Sequence, residues 1–181
     1  YTFAEAHIHR TIGSAPLMAF KFGDAYYRKA IDGRFVRAGS FQTGRPFLTD
    51  IYRILSKSKI LKAFRITFPI RIKKEHIKLT AQTIQEMQYH FKKKYPLGTF
   101  YVLIYPRSEN GSKYGWGQQL MSYLNEMGIK YLDYSGLLDR GELQFRLAEE
   151  ESHPSPFAYQ IIAGEIVKDL GLDDVINGVH R

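Results

Sequence analysis

The run Glu149-Glu150-Glu151-Ser152-His153-Pro154-Ser155-Pro156 puts an imidazole two or three residues after a carboxylate. A carboxylate so placed can hold one ring nitrogen and leave the other to act as a general base toward a serine hydroxyl. His153 is therefore the candidate base, and Glu150, or its neighbour Glu151, the candidate orienting group. Pro154 and Pro156 restrict the backbone on either side of Ser155. That rigidity suits a residue whose proton transfer demands close placement, and it equally suits a plain helix start. A lone loop histidine is more often incidental than catalytic, so the elements around it decide its weight.

Two other groups could do chemistry. His7 and His9 form a His-x-His pair that could face one way on a strand and bind a metal; no third ligand is evident, so a surface pair is the expectation. Trp116 stands between Gly115 and Gly117 and is either a stacking platform for a substrate or an anchor for its loop, the anchor being favoured. No cofactor and no metal is expected.

The elements that must position His153 are regular from Thr80 onward. Residues 83–95 read as a helix with Ile84, Met87, Gln88 and Phe91 inward. Phe100 to Tyr105 is an apolar run ended by Pro106, as a strand buried on both faces reads. A loop over 107–117 leads to a helix at 118–127, with Leu120, Met121, Leu124 and Met127 inward and Gly128 as its closing glycine. Residues 129–134 form a second strand. Ser155 caps a last helix from Pro156 to about Leu170, with Phe157, Ile161, Ile162, Ile166 and Leu170 on one face and Gly171 as its stop; a short helical piece is expected within 141–148. Strands separated by helices at this spacing predict a parallel α/β sheet, with 100–105 and 130–133 parallel neighbours or near neighbours.

This order, with Leu132-Asp133 ending the second strand, His153-Pro154-Ser155-Pro156 in the loop and Ala158-Tyr159-Gln160-Ile161-Ile162-Ala163 in the closing helix, resembles the C-terminal part of the SGNH/GDSL serine hydrolases over about residues 80–172. The resemblance implies a flavodoxin-like three-layer fold with a parallel sheet, and hydrolysis or transfer of an acyl ester, on a carbohydrate or a lipid. It implies His153 as general base and Glu150 at the position where the family carries Asp. The family's Gly-Asp-Ser nucleophile block and its oxyanion-hole blocks have no counterpart here. Gly23-Asp24-Ala25 superficially matches the first of them with Ala in place of Ser, although a Gly-Asp pair in a turn is common. The expectation is that the nucleophile and the family's first strands lie upstream of Tyr1, that residues 1–79 are an irregular insertion or cap, and that 80–181 are the C-terminal α/β part, inactive when isolated.

The rest of the sequence bounds the reading. The 181 residues fit one domain by size, and 44% hydrophobic residues with 14% aromatics exclude a disordered chain. Without cysteine there are no disulfides or thiolate metal sites, and the compartment stays open. No apolar run is long enough to span a membrane. The net charge of +8 is concentrated between Lys57 and Lys78, where eight Lys and Arg stand against one acid, Glu75. Specific nucleic-acid binding is not expected, because no recognition motif accompanies the cluster. A second reading keeps the sheet without catalysis and uses this stretch to hold an anionic partner.

Overall fold

Val102, Leu103 and Ile104 divide between two apolar clusters, Val102 and Ile104 joining one and Leu103 the other. A strand covered by helices on both faces alternates in this way. The computed structural model describes residues 2–3, 6–33, 35–64, 66–106, 115–138, 143–145, 147 and 154–172. Glu150, Glu151 and His153 lie outside the described residues.

In chain order the elements are β1 (Thr2–Phe3), α1 (Ala6–Ile12), α2 (Ala15–Met18), β2 (Ala25–Lys29), β3 (Phe35–Ser40), α3 (Phe41–Gly44), α4 (Pro46–Lys57), α5 (Lys59–Ala63), α6 (Lys74–Lys94), β4 (Val102–Ile104), α7 (Trp116–Glu126), β5 (Tyr131–Asp133) and α8 (Pro156–Asp169), with a 3-10 turn at Leu143–Phe145. β1, β4 and β5 form a parallel sheet in that order. Val102 pairs with Tyr131 and Ile104 with Asp133, which is the parallel neighbour relation expected of these two strands. The architecture is mixed α/β.

One face of the sheet is covered by α1, α6 and α7. Ile77, Thr80, Ala81 and Ile84 recur at three- and four-residue spacing along α6 and are all buried. With Ile8 of α1, Leu120 and Leu124 of α7, and Val102 and Ile104 of β4, they make the larger core. The other face is covered by α8, whose Ala158 and Ile162 pack with Tyr134 and Leu138, and with Leu103 and Leu132 of the strands. Gly128 closes α7 at φ +65° and Gly171 follows α8 at φ +61°, both in the left-handed region that glycine enters freely.

The segment between α1 and α6 is built separately. β2 and β3 form an antiparallel hairpin, Tyr27 opposite Arg37 and Arg28 opposite Val36. Thr49 of α4, fully buried, donates from Oγ1 to the Phe41 carbonyl at 2.8 Å, which fixes α4 on α3. Arg45 spans the joint, its guanidinium carbon 4.5 Å from the Phe41 ring centroid and 5.5 Å from that of Tyr26.

Several local expectations change. α6 begins at Lys74, so position 79/80 falls inside a helix. Met87 is 41% exposed rather than inward, because the buried stripe of α6 runs through Ile77, Ala81 and Ile84 instead. Residues 1–79 contribute a strand to the parallel sheet and Ile8 to its core. His7 and His9 sit on α1, not on a strand.

Candidate functional site

The starts of α6 and α7 meet the last turn of α1 at His9. Its ring meets Trp116, the first residue of α7, edge to face at a centroid distance of 6.0 Å. Burial lowers its pKa below the usual histidine value, and the nearby His76 lowers it further. His76 lies in the first turn of α6, where its Nδ1 accepts the Lys73 backbone N–H at 3.2 Å. Burial lowers the His76 pKa too, against a raising effect from Glu75. Nδ1 must be unprotonated to accept that bond, so the neutral ring is the form this helix start holds. His76 was not legible as a neighbour of His9, since 67 positions separate them.

The His7/His9 pair does not form a metal centre. Two residues apart on a helix, the side chains diverge by about 200° rather than facing one way. No group of three or more His, Cys, Asp or Glu that could hold a metal is found among the described residues. Trp116 is partly buried and packs against the larger core, which is an anchor's placement.

The start of α8 is tightly specified. Ser155, 8% exposed, accepts the Ala158 N–H at 3.2 Å and donates to the Gln144 carbonyl at 2.6 Å. Its own N–H donates to the Phe145 carbonyl at 3.0 Å, and Phe145 stacks on Phe157 with centroids 5.9 Å apart and planes 5° from parallel. Serine at the N-cap and proline at N1 meet here as the sequence implied. The 3-10 turn at Leu143–Phe145 falls within the expected short helical piece. At the other end of α8, Asp169 accepts a hydrogen bond from Tyr134, the residue after β5. Ser155 and Asp169 are a helix length apart, about 20 Å at 1.5 Å per residue. The described residues adjoining His153 in the chain are thus placed, while His153, Glu150 and Glu151 themselves lie outside them.

Gly23-Asp24-Ala25 does not build a nucleophile turn. Asp24 closes a turn onto the Lys21 carbonyl, and Ala25 begins β2, which runs into an antiparallel hairpin rather than from a strand into a helix. A separate cavity of about 950 Å³ lies between the hairpin and α6, lined by Tyr27, Phe35, Arg37, Gln85, Glu86 and Tyr89. None of these belongs to the constellation around His153.

No family model, no curated protein and no solved structure matches this chain.

Proposed function

We propose that residues 80–172 are the C-terminal part of a flavodoxin-like, SGNH/GDSL-type ester hydrolase or acyltransferase, with His153 as its general base. The reading rests on one observation: β4, α7 and β5 are laid out as parallel strand, helix and strand, and the chain then reaches a helix start fixed by Ser155 beside His153-Pro154. In this reaction a serine outside residues 1–181 attacks the acyl carbonyl. His153 takes the serine proton and returns it to the departing alcohol. Water, or an acceptor hydroxyl, then repeats the step on the acyl-serine. Glu150 holds the imidazole and stabilises its charged form. No metal or cofactor is needed for any step.

The test uses the full-length parent and a generic acyl ester such as p-nitrophenyl acetate. His153→Ala should lower turnover by several orders of magnitude with the circular dichroism spectrum unchanged, and the 181-residue chain should be inactive. A fluorophosphonate should label a serine outside these 181 residues. Undiminished turnover by His153→Ala refutes the assignment.

A further inference from the structure

α4, α5 and the described residues running on to Ile70 expose side chains that a chain in water normally covers. Phe47 is 80% exposed, Ile54 71%, Ile60 70%, Phe64 74% and Ile70 71%. On α4 Phe47, Asp50, Ile54 and Lys57 follow at three- and four-residue spacing and are exposed, as are Pro46 and Leu48 in the first turn, while Thr49 is fully buried. α5 buries no residue at all.

Hydrogen bonds and one ring contact order the described residues of this stretch. Ser58 caps α5 by accepting the Leu61 N–H at 3.3 Å, and the Ile66 N–H returns to the Leu61 carbonyl at 2.8 Å. Phe68 ties the segment down, its carbonyl accepting the Ala15 N–H at 2.7 Å and its ring 6.4 Å from that of Tyr52. Among the described residues the segment is thus tied back to the rest of the chain at Phe68.

Lys57, Lys59, Lys62 and Arg71 are exposed along the same stretch. Apolar side chains interleaved with lysines and almost no acids match one kind of surface, in which anionic headgroups lie above an acyl-chain boundary. A nucleic acid would satisfy the lysines but leave Ile54, Ile60 and Ile70 uncovered, since aliphatic side chains do not stack on bases. A neutral protein face would cover the isoleucines and leave the lysines opposed by nothing. We propose that this face docks the protein on the surface of an anionic bilayer. Among the described residues no helix is long and apolar enough to cross a membrane.

The experiment is co-sedimentation of the 181-residue chain with vesicles of phosphatidylcholine mixed with phosphatidylglycerol, and with phosphatidylcholine alone. Binding is expected to the mixed vesicles, to weaken as salt is added, and to be slight on neutral ones. At about fivefold per basic residue, the triple variant Lys57→Ser, Lys59→Ser, Lys62→Ser should bind about a hundredfold more weakly. Ile60→Ser and Phe64→Ser should each lose roughly tenfold or more. These positions are exposed, so circular dichroism and sedimentation velocity should show folded, monomeric variants. Failure to bind anionic vesicles overturns the proposal, as does binding that survives both sets of substitutions. A wild-type dimer that Phe64→Ser converts to monomer, with no vesicle binding, would assign the face to a second copy of the chain instead.

Discussion

The hydroxyl of Tyr134 donates a 2.8 Å hydrogen bond to Oδ2 of Asp169, thirty-five positions along the chain. Tyr134 follows the last residue of β5, and Asp169 is the last residue of α8. Near the start of α8, Ser155 bonds to the Gln144 and Phe145 carbonyls. Both ends of this helix are therefore tied to the chain between it and β5, the connection that carries Glu150 and His153 in sequence.

Tyr134→Phe should lower stability by about 1 kcal/mol in chemical denaturation at neutral pH, the ordinary net worth of one hydrogen bond, because exposed Asp169 regains water. The difference should depend on pH. Burial, then the bond to Asp169, the charge of Asp169 and that of Glu165 push the Tyr134 pKa well above the usual tyrosine value. A folded pKa raised above the unfolded one gives stability that is whole below about pH 10 and is lost as pH rises toward the folded value. Wild type should therefore keep its advantage over Tyr134→Phe up to about pH 9 and lose it between about pH 10 and about pH 11. A constant difference across that range would place the phenol in water.

The parts of the fold written in local patterns were legible. Ser155 and Pro156 act at one helix turn, and Leu120 and Leu124 show their face within four residues, so α8 and α7 are found within two residues of where the sequence places them. β1 was not legible, because Thr2–Phe3 is too short for alternation to show and exists only by pairing with Leu103 and Ile104, a hundred positions away. The start of α6 was hidden by lysines that read as a solvated linker, although Ile77 among them is buried. His7 and His9 looked like a facing pair only because a strand was assumed. For the catalytic assignment, sequence order around His153 carries everything, since its geometry depends on groups outside the described residues.

Gly13 should not accept a side chain. It sits at φ +59°, and a Cβ there meets the Arg45 guanidinium and the Phe41 ring, which is 1% exposed. Gly13→Ala should cost about 2–4 kcal/mol, the left-handed penalty plus overpacking. Gly171→Ala is the control: its φ is +61° but nothing lies within 4 Å, so only about 1–2 kcal/mol is expected. Equal losses in urea denaturation would show that Arg45 and Phe41 yield freely.

Ser155→Ala removes two hydrogen bonds from a nearly buried hydroxyl, the cap to Ala158 and the link to Gln144. It should cost about 1–2 kcal/mol, and Ser155→Thr should recover part of that. If the serine only caps the helix, Ser155→Asp will serve as well. If the link to Gln144 matters, Asp will not replace it, because a carboxylate cannot donate to that carbonyl.

The contact between His9 and Trp116 makes the chain's one tryptophan a reporter of that histidine's charge. Burial and His76 both disfavour protonated His9, so its folded pKa lies below the usual 6.5. The pKa values of His7 and His76 are lowered as well, with burial the largest cause in each. A depressed folded pKa gives stability that is present above the unfolded value and is lost as pH falls through the folded one. Thermal stability should accordingly fall on acidification below about pH 6.5, and less in His9→Gln. Protonated imidazole quenches indole emission, so Trp116 fluorescence should drop with a midpoint below about pH 6.5, with no shift of the emission peak until the chain unfolds. In His9→Gln that drop should vanish while the emission at neutral pH is kept. A midpoint at or above the ordinary histidine value would mean that the ring is solvated, and an unchanged titration in His9→Gln would mean that Trp116 reads some other group.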